Sequence, residues 1–146
     1  MDITPKTFLP VEVVFHPSWW NHHYGLTFDE AFFFDPTKRV ENERAMRVAL
    51  HQRFGDLGLG EADSTPRPVI GPVHLAAGFL PSAVLGCSIR FYDDASPEVI
   101  PANLSDEQVM ALDAPDLETH PVFGRLIALM DALETQYGRL EGDVNW

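Results

Sequence analysis

Cys87 is the only cysteine among 146 residues. No intrachain disulfide framework can hold the fold, and a reducing, cytoplasmic setting is expected. Positive charge is scarce as well: ten Lys and Arg stand against 22 Asp and Glu, a net charge of −12. Nothing supplies the basic stripe that nucleic acid or an anionic membrane requires, so no nucleic-acid and no membrane partner is expected. An anionic substrate would need the few arginines to converge locally. Long apolar runs are missing, none approaching the roughly 20 residues of a membrane span. The first residues, with Asp2 and early prolines, lack the apolar core of a signal peptide. There is no internal repeat, no paired-Cys zinc spacing and no nucleophile elbow.

What is abundant is apolar surface and chain punctuation. Hydrophobic residues make up 45% of the chain, enough for a real core in a single domain over 1–146. Twelve prolines and ten glycines imply ordered loops between short elements. Val11 to Phe15 is a β-branched run, read as a first strand. It empties into a loop, His16-Pro17-Ser18-Trp19-Trp20-Asn21-His22-His23-Tyr24-Gly25, and a second aromatic cluster follows at Phe28 and Phe32 to Phe34. Asp35-Pro36 predicts a helix start, with apolar spacing to Phe54 and a stop at Gly55. Residues 55–67 read as a loop, 68–75 as a second strand, 76–85 as a short buried helix or turn, and 87–92 as a half-buried strand. Ser105 to Gln108 form a capping box, with Val109 and Leu112 as the expected buried face of a short helix. Val122, Leu126, Leu129, Met130, Leu133 and Tyr137 predict a helix over about 120–137, ended by Gly138. The final residues, Gly142 to Trp146, read as the start of another strand.

Alternating strands and helices are how parallel α/β proteins are built. A chain that ends on a strand of such a sheet lacks its neighbour, which predicts part of a larger barrel or assembly. In α/β barrels the loops at the carboxyl ends of strands build the active site. Three residues at strand ends are therefore candidate catalytic groups: His16, His74 and Asp143. Trp19, Trp20, His22, His23, Tyr24 and Asn145 are candidate substrate-binding residues, as pocket walls, stacking faces or bases. The bland alternative stays beside each: a packed aromatic turn, a core histidine satisfied by a carbonyl, a structural polar pair. A metal site is not expected from this chain alone, since zinc needs three or four converging ligands and His22 and His23 would tend to point apart. Arg44, Arg47 and Arg53 read as a solvated face with Glu41 and Glu43. Gly55-Asp56-Leu57-Gly58-Leu59-Gly60 is not a phosphate loop, because it follows a helix, carries an acid and lacks the Lys-Ser or Lys-Thr pair.

Several stretches together resemble the uroporphyrinogen decarboxylase superfamily, which includes corrinoid-dependent methyltransferases. They are Val11 to Pro17, Arg53-Phe54-Gly55-Asp56, Leu85 to Ile89, Asn103 to Glu107, Leu112 to Asp116, and the last helix with Tyr137-Gly138. The resemblance implies an α/β fold, the N-terminal half of a (β/α)8 (TIM-type) barrel with parallel strands. An arginine-rich stretch expected of the decarboxylases after the first strand is replaced here by His16 to Tyr24, and the aspartate expected after the second strand has no clear match at Val73 to Ala76. The methyltransferase branch is the closer likeness, because its first strand more often opens into such an aromatic loop, and it implies methyl transfer between a methyl donor and a thiol or corrinoid acceptor. It further implies zinc and a corrinoid as cofactors, with the zinc ligands in the other half of the barrel, and a corrinoid protein as partner. Two other readings stand beside it. One is a non-catalytic interaction subunit that completes a barrel with another chain or a second copy. The other is a tetrapyrrole carboxy-lyase.

Overall fold

The computed structural model describes residues 13–70 and 79–142. Local chemistry accounts for most helix boundaries. Helix α1, Pro17–Tyr24, has Pro at its first position and His16 as N-cap, and Gly25 closes it at φ 66°. Helix α2, Glu30–Phe34, is capped by Asp29, whose carboxylate accepts from the Phe32 N–H at 3.0 Å. Helix α3, Pro36–Phe54, starts at Asp35 and Pro36 as the sequence predicts, Asp35 accepting from the Lys38 N–H at 2.7 Å. Its expected stop at Gly55 is displaced. Gly55 keeps a right-handed helical conformation and the chain tightens into a 3₁₀ turn, Gly55–Leu57, before Gly58 ends it at φ 79°.

Strand β1 is Val69–Ile70, and helix α4, Phe79–Val84, follows. Strands β2, Ser88–Arg90, and β3, Glu98–Ile100, pair antiparallel, with Ile89 opposite Val99. This hairpin corrects a purely parallel reading of the chain: Asp93 to Pro97 return the chain directly onto β2. Helix α5, Asp106–Met110, carries the expected capping box in full. Helix α6, Pro121–Tyr137, spans the predicted range and ends at Gly138, φ 71°. Strand β4, Glu141–Gly142, pairs parallel with β1, Val69 opposite Glu141 and Ile70 opposite Gly142. Parallel neighbours need a crossover, and here α4, the hairpin, α5 and α6 intervene. The fold is mixed helix and strand with a small parallel sheet, an α/β arrangement.

Two apolar clusters form the core. The larger holds Trp20, Phe28, Phe32, Phe33, Met46, Ala49, Phe79, Leu80 and Leu126. Edge-on and tilted rings fill it, with Phe33 and Phe79 at 5.1 Å and Phe79 and Phe91 at 5.7 Å between centroids. The smaller cluster, Val40 with Leu129 and Leu133, joins α3 to α6 and has Ile70 of β1 packed on it. Both long helices therefore cover the parallel pair.

Several sequence expectations change. Residues 13–16 form no strand, and 11–12 lie outside the described residues. His16 to Tyr24 is helical rather than a loop, because Pro17 favours a first helical turn and His16 caps it. Val109 and Leu112 are each 52% exposed rather than buried. Arg47, expected on a solvated face, is buried: its guanidinium pairs with Glu43 at 2.9 Å and donates to the carbonyls of Asp63 and Thr65. It ties the 58–67 loop to α3. Gly60 lies so close to the Arg47 carbonyl and the His51 amide that a Cβ there would overlap both.

Candidate functional site

The aromatic segment singled out in the sequence is built on α1. Its 8 residues span about two turns, so Trp20 turns into the core while His22, His23 and Tyr24 stay exposed. Trp19 is half-buried in a ring cluster with Phe15 at 4.6 Å, Trp20 at 4.9 Å, His23 at 4.8 Å and Tyr24 at 5.6 Å between centroids. Phe15 stacks on Phe54 at 5.6 Å, which anchors this cluster to the end of α3. The Arg53 guanidinium lies over Trp19 at 5.6 Å and over Phe54 at 5.5 Å. The result is a closed aromatic plate with one cation on it.

His16 is already engaged. Its Nδ1 lies 2.8 Å from the Ser18 hydroxyl and accepts from the Ser18 N–H at 3.2 Å, which is how it caps α1. Its second ring nitrogen is the one left for chemistry. His22 and His23 have rings 4.9 Å apart at 80°. Among the described residues, no group of three or more His, Cys, Asp or Glu is placed to hold a metal ion. The methyltransferase resemblance places its zinc ligands in the other half of the barrel, not among these residues. The candidates His74, Asp143 and Asn145 lie outside the described residues. In sequence they follow the carboxyl ends of β1 and β4, the two parallel strands.

The sequence reading passed over Arg39. It is fully buried on α3, donates from Nε to the Val69 carbonyl of β1 at 3.2 Å, and lies over the Phe32 ring at 4.8 Å. A wholly buried arginine beside a strand is unusual enough to mark that strand as special. The available signal was its place one residue before Val40, on the core-facing side of a helix otherwise rich in exposed charge.

Two carboxylates near the fold's seams are firmly ionised. Burial works against the charge on Asp29, but the Lys38 ammonium, 2.7 Å away, and the Phe32 N–H outweigh it and hold its pKa below the usual carboxylate value. The Thr65 hydroxyl and N–H lower that of Asp63 in the same direction. Burial pushes the Tyr137 phenol up, with Glu41 and Asp35 adding to it.

No family model, no curated protein and no solved structure matches this chain. No helix among the described residues is long and apolar enough to cross a membrane.

Proposed function

We propose that this chain is the N-terminal half of a (β/α)8 barrel that transfers a methyl group between a methyl donor and a thiol or corrinoid acceptor. The observation that carries the reading is the parallel pair. β1 and β4 are joined by a crossover containing α6, and α3 and α6 lie over the same strand through Val40, Leu129, Leu133 and Ile70. A parallel strand pair with helices packed on it is compatible with a parallel barrel and supports this reading, although an antiparallel hairpin also lies in the crossover. His74, Asp143 and Asn145 follow the carboxyl ends of those strands in sequence, where α/β proteins bind ligands.

In this reading His74 and Asp143 manage protons on the acceptor thiol. A thiol attacks as its thiolate, so a base within reach raises the reactive fraction at neutral pH. The sulfur gains the bond to carbon, and the displaced methyl carrier keeps the electron pair of the bond that breaks. Trp20 reaches the core that also receives Ile70 at the end of β1. Trp19, His22, His23 and Tyr24 of α1 are the proposed substrate-binding residues, as stacking faces and bases. A corrinoid or other methyl carrier is the substrate, delivered by a partner.

The test uses the protein isolated from its own cells together with any chain it assembles with. Incubation with methylcobalamin and an alkyl thiol is followed by loss of the methylcobalamin absorbance and by appearance of the thioether. Thioether formed above the protein-free rate supports the reading. No turnover with any thiol rejects it.

A second reading, a non-catalytic subunit that completes a barrel with another chain, is favoured by one observation. Among the described residues each strand of the parallel pair has a single partner, and an unpaired strand edge invites pairing with another chain.

A further inference from the structure

Residues 101–119 are unlike the rest of the molecule, because nearly all of them are exposed. Helix α5 sits inside this stretch and buries no residue. It is held by its own capping box: Ser105 Oγ accepts from the Gln108 N–H at 3.3 Å, and the Gln108 side chain accepts from the Ser105 N–H at 2.8 Å. The segment nonetheless carries five large apolar side chains. Met110 is 85% exposed, Val109 and Leu112 52%, Leu117 46% and Leu104 38%. Apolar residues gathered in one exposed segment mark an interaction surface more often than isolated ones do.

Charge selects the partner. From Phe91 to Gly124 the sequence holds eight Asp and Glu and no Lys or Arg. Asp113 adjoins Leu112, Asp116 and Glu118 adjoin Leu117, and Asp106 and Glu107 stand between Leu104 and Val109. A second copy of the chain would bring the same acidic surface, and the net charge of −12 opposes such pairing. An anionic membrane is repelled for the same reason. What this segment complements is an apolar groove rimmed by Lys and Arg.

We infer that residues 104–117 are a docking element for a partner protein, entering a basic-rimmed apolar groove with Leu104, Val109, Met110, Leu112 and Leu117 as anchors. Val109 and Met110 lie on α5 and the other three anchors on the chain flanking it; apolar side chains supply affinity, and flanking charges set the on-rate and orientation. A preformed cap lowers the ordering cost of binding. The inference stands whether or not the methyl-transfer reading holds.

The test is a titration of the isotope-labelled full chain with a helical peptide built only of Leu and Lys, which mimics one wall of such a groove. A Ser and Lys peptide of equal charge is the control. Amide shifts confined to residues 104–117, saturating with the Leu–Lys peptide and absent with the control, are expected. Met110→Ser with Leu112→Ser leaves the charge unchanged, removes two anchors and touches no packed core, so the fold is retained. That double variant should bind about tenfold more weakly or worse. Equal binding of both peptides, unchanged affinity of the double variant, or shifts centred elsewhere would each overturn the inference. Concentration-dependent self-association of the free chain through the same residues would overturn it too.

Discussion

At the scale of single residues, the groups most closely tied to structure are short-range caps and one buried cation pair. Asp29 illustrates the balance. It accepts the Phe32 N–H as N-cap of α2 and the Lys38 ammonium at 2.7 Å, so the folded state holds it ionised at lower pH than the unfolded chain does. The sign follows directly. A carboxylate with a depressed folded-state pKa contributes stability above its unfolded value of about 3.9, and that contribution is lost as pH falls through the folded value. Asp29→Asn retains a capping oxygen but loses the charge. Its stability deficit relative to the native chain should therefore be present near neutrality and shrink in the acid range below about pH 4. Urea unfolding at a series of pH values measures this. A deficit that stays constant into that range would show that the Lys38 pair contributes nothing.

At the scale of elements, the sequence made some features plain and hid others for physical reasons. Asp35-Pro36, Ser105 with Gln108, and Gly138 signal helix ends through local hydrogen bonding and backbone conformation, and all three act in the fold as they read. The α6 range was legible because Leu126, Leu129 and Leu133 recur on one face and are all buried. Helix α1 was not, since a run of Trp, His and Tyr has no clear period and the preceding β-branched residues suggested a strand. Arg47 was misread because periodicity cannot show a loop folding back over a helix. That contact depends on Asp63 and Thr65, sixteen and eighteen residues away. The β2–β3 hairpin lacked a two-residue turn signal and so escaped notice. Of the candidate site, the α1 residues were placed together by their adjacency in sequence, while Arg39 at β1 emerged only from packing.

The seam between α3 and α6 is the element-level contact that matters most, because it covers the parallel pair. Leu133 is fully buried there beside Val40 and Leu129. Leu133→Ala should cost about 2–5 kcal/mol. Hydrogen exchange should also quicken first at Val69, Ile70, Glu141 and Gly142, whose pairing the seam supports. Unfolding that loses less than about 1 kcal/mol would mean that the two helices do not depend on each other.

At the scale of the whole molecule, two surfaces have different characters. One is the covered parallel pair, with α3 and α6 upon it and the aromatic plate of Trp19, Phe15 and Phe54 packed at the end of α3. The other is the exposed acidic and apolar stretch around α5. A chain with a net charge of −12 repels itself, so added salt should stabilise the fold and any acidic docking event should weaken as salt rises. The first surface bears the proposed chemistry and the second the proposed partner. Loss of one should leave the other intact.

The most direct measurement is the rate of thiol methylation by His74→Ala and Asp143→Asn proteins, each isolated with its native assembly and checked for retained fold. If the carboxyl ends of β1 and β4 hold the reacting thiol, each variant should lose about a hundredfold or more in kcat/KM, as expected for removal of a proton-handling group. Full turnover in both variants would place the chemistry elsewhere and contradict the account.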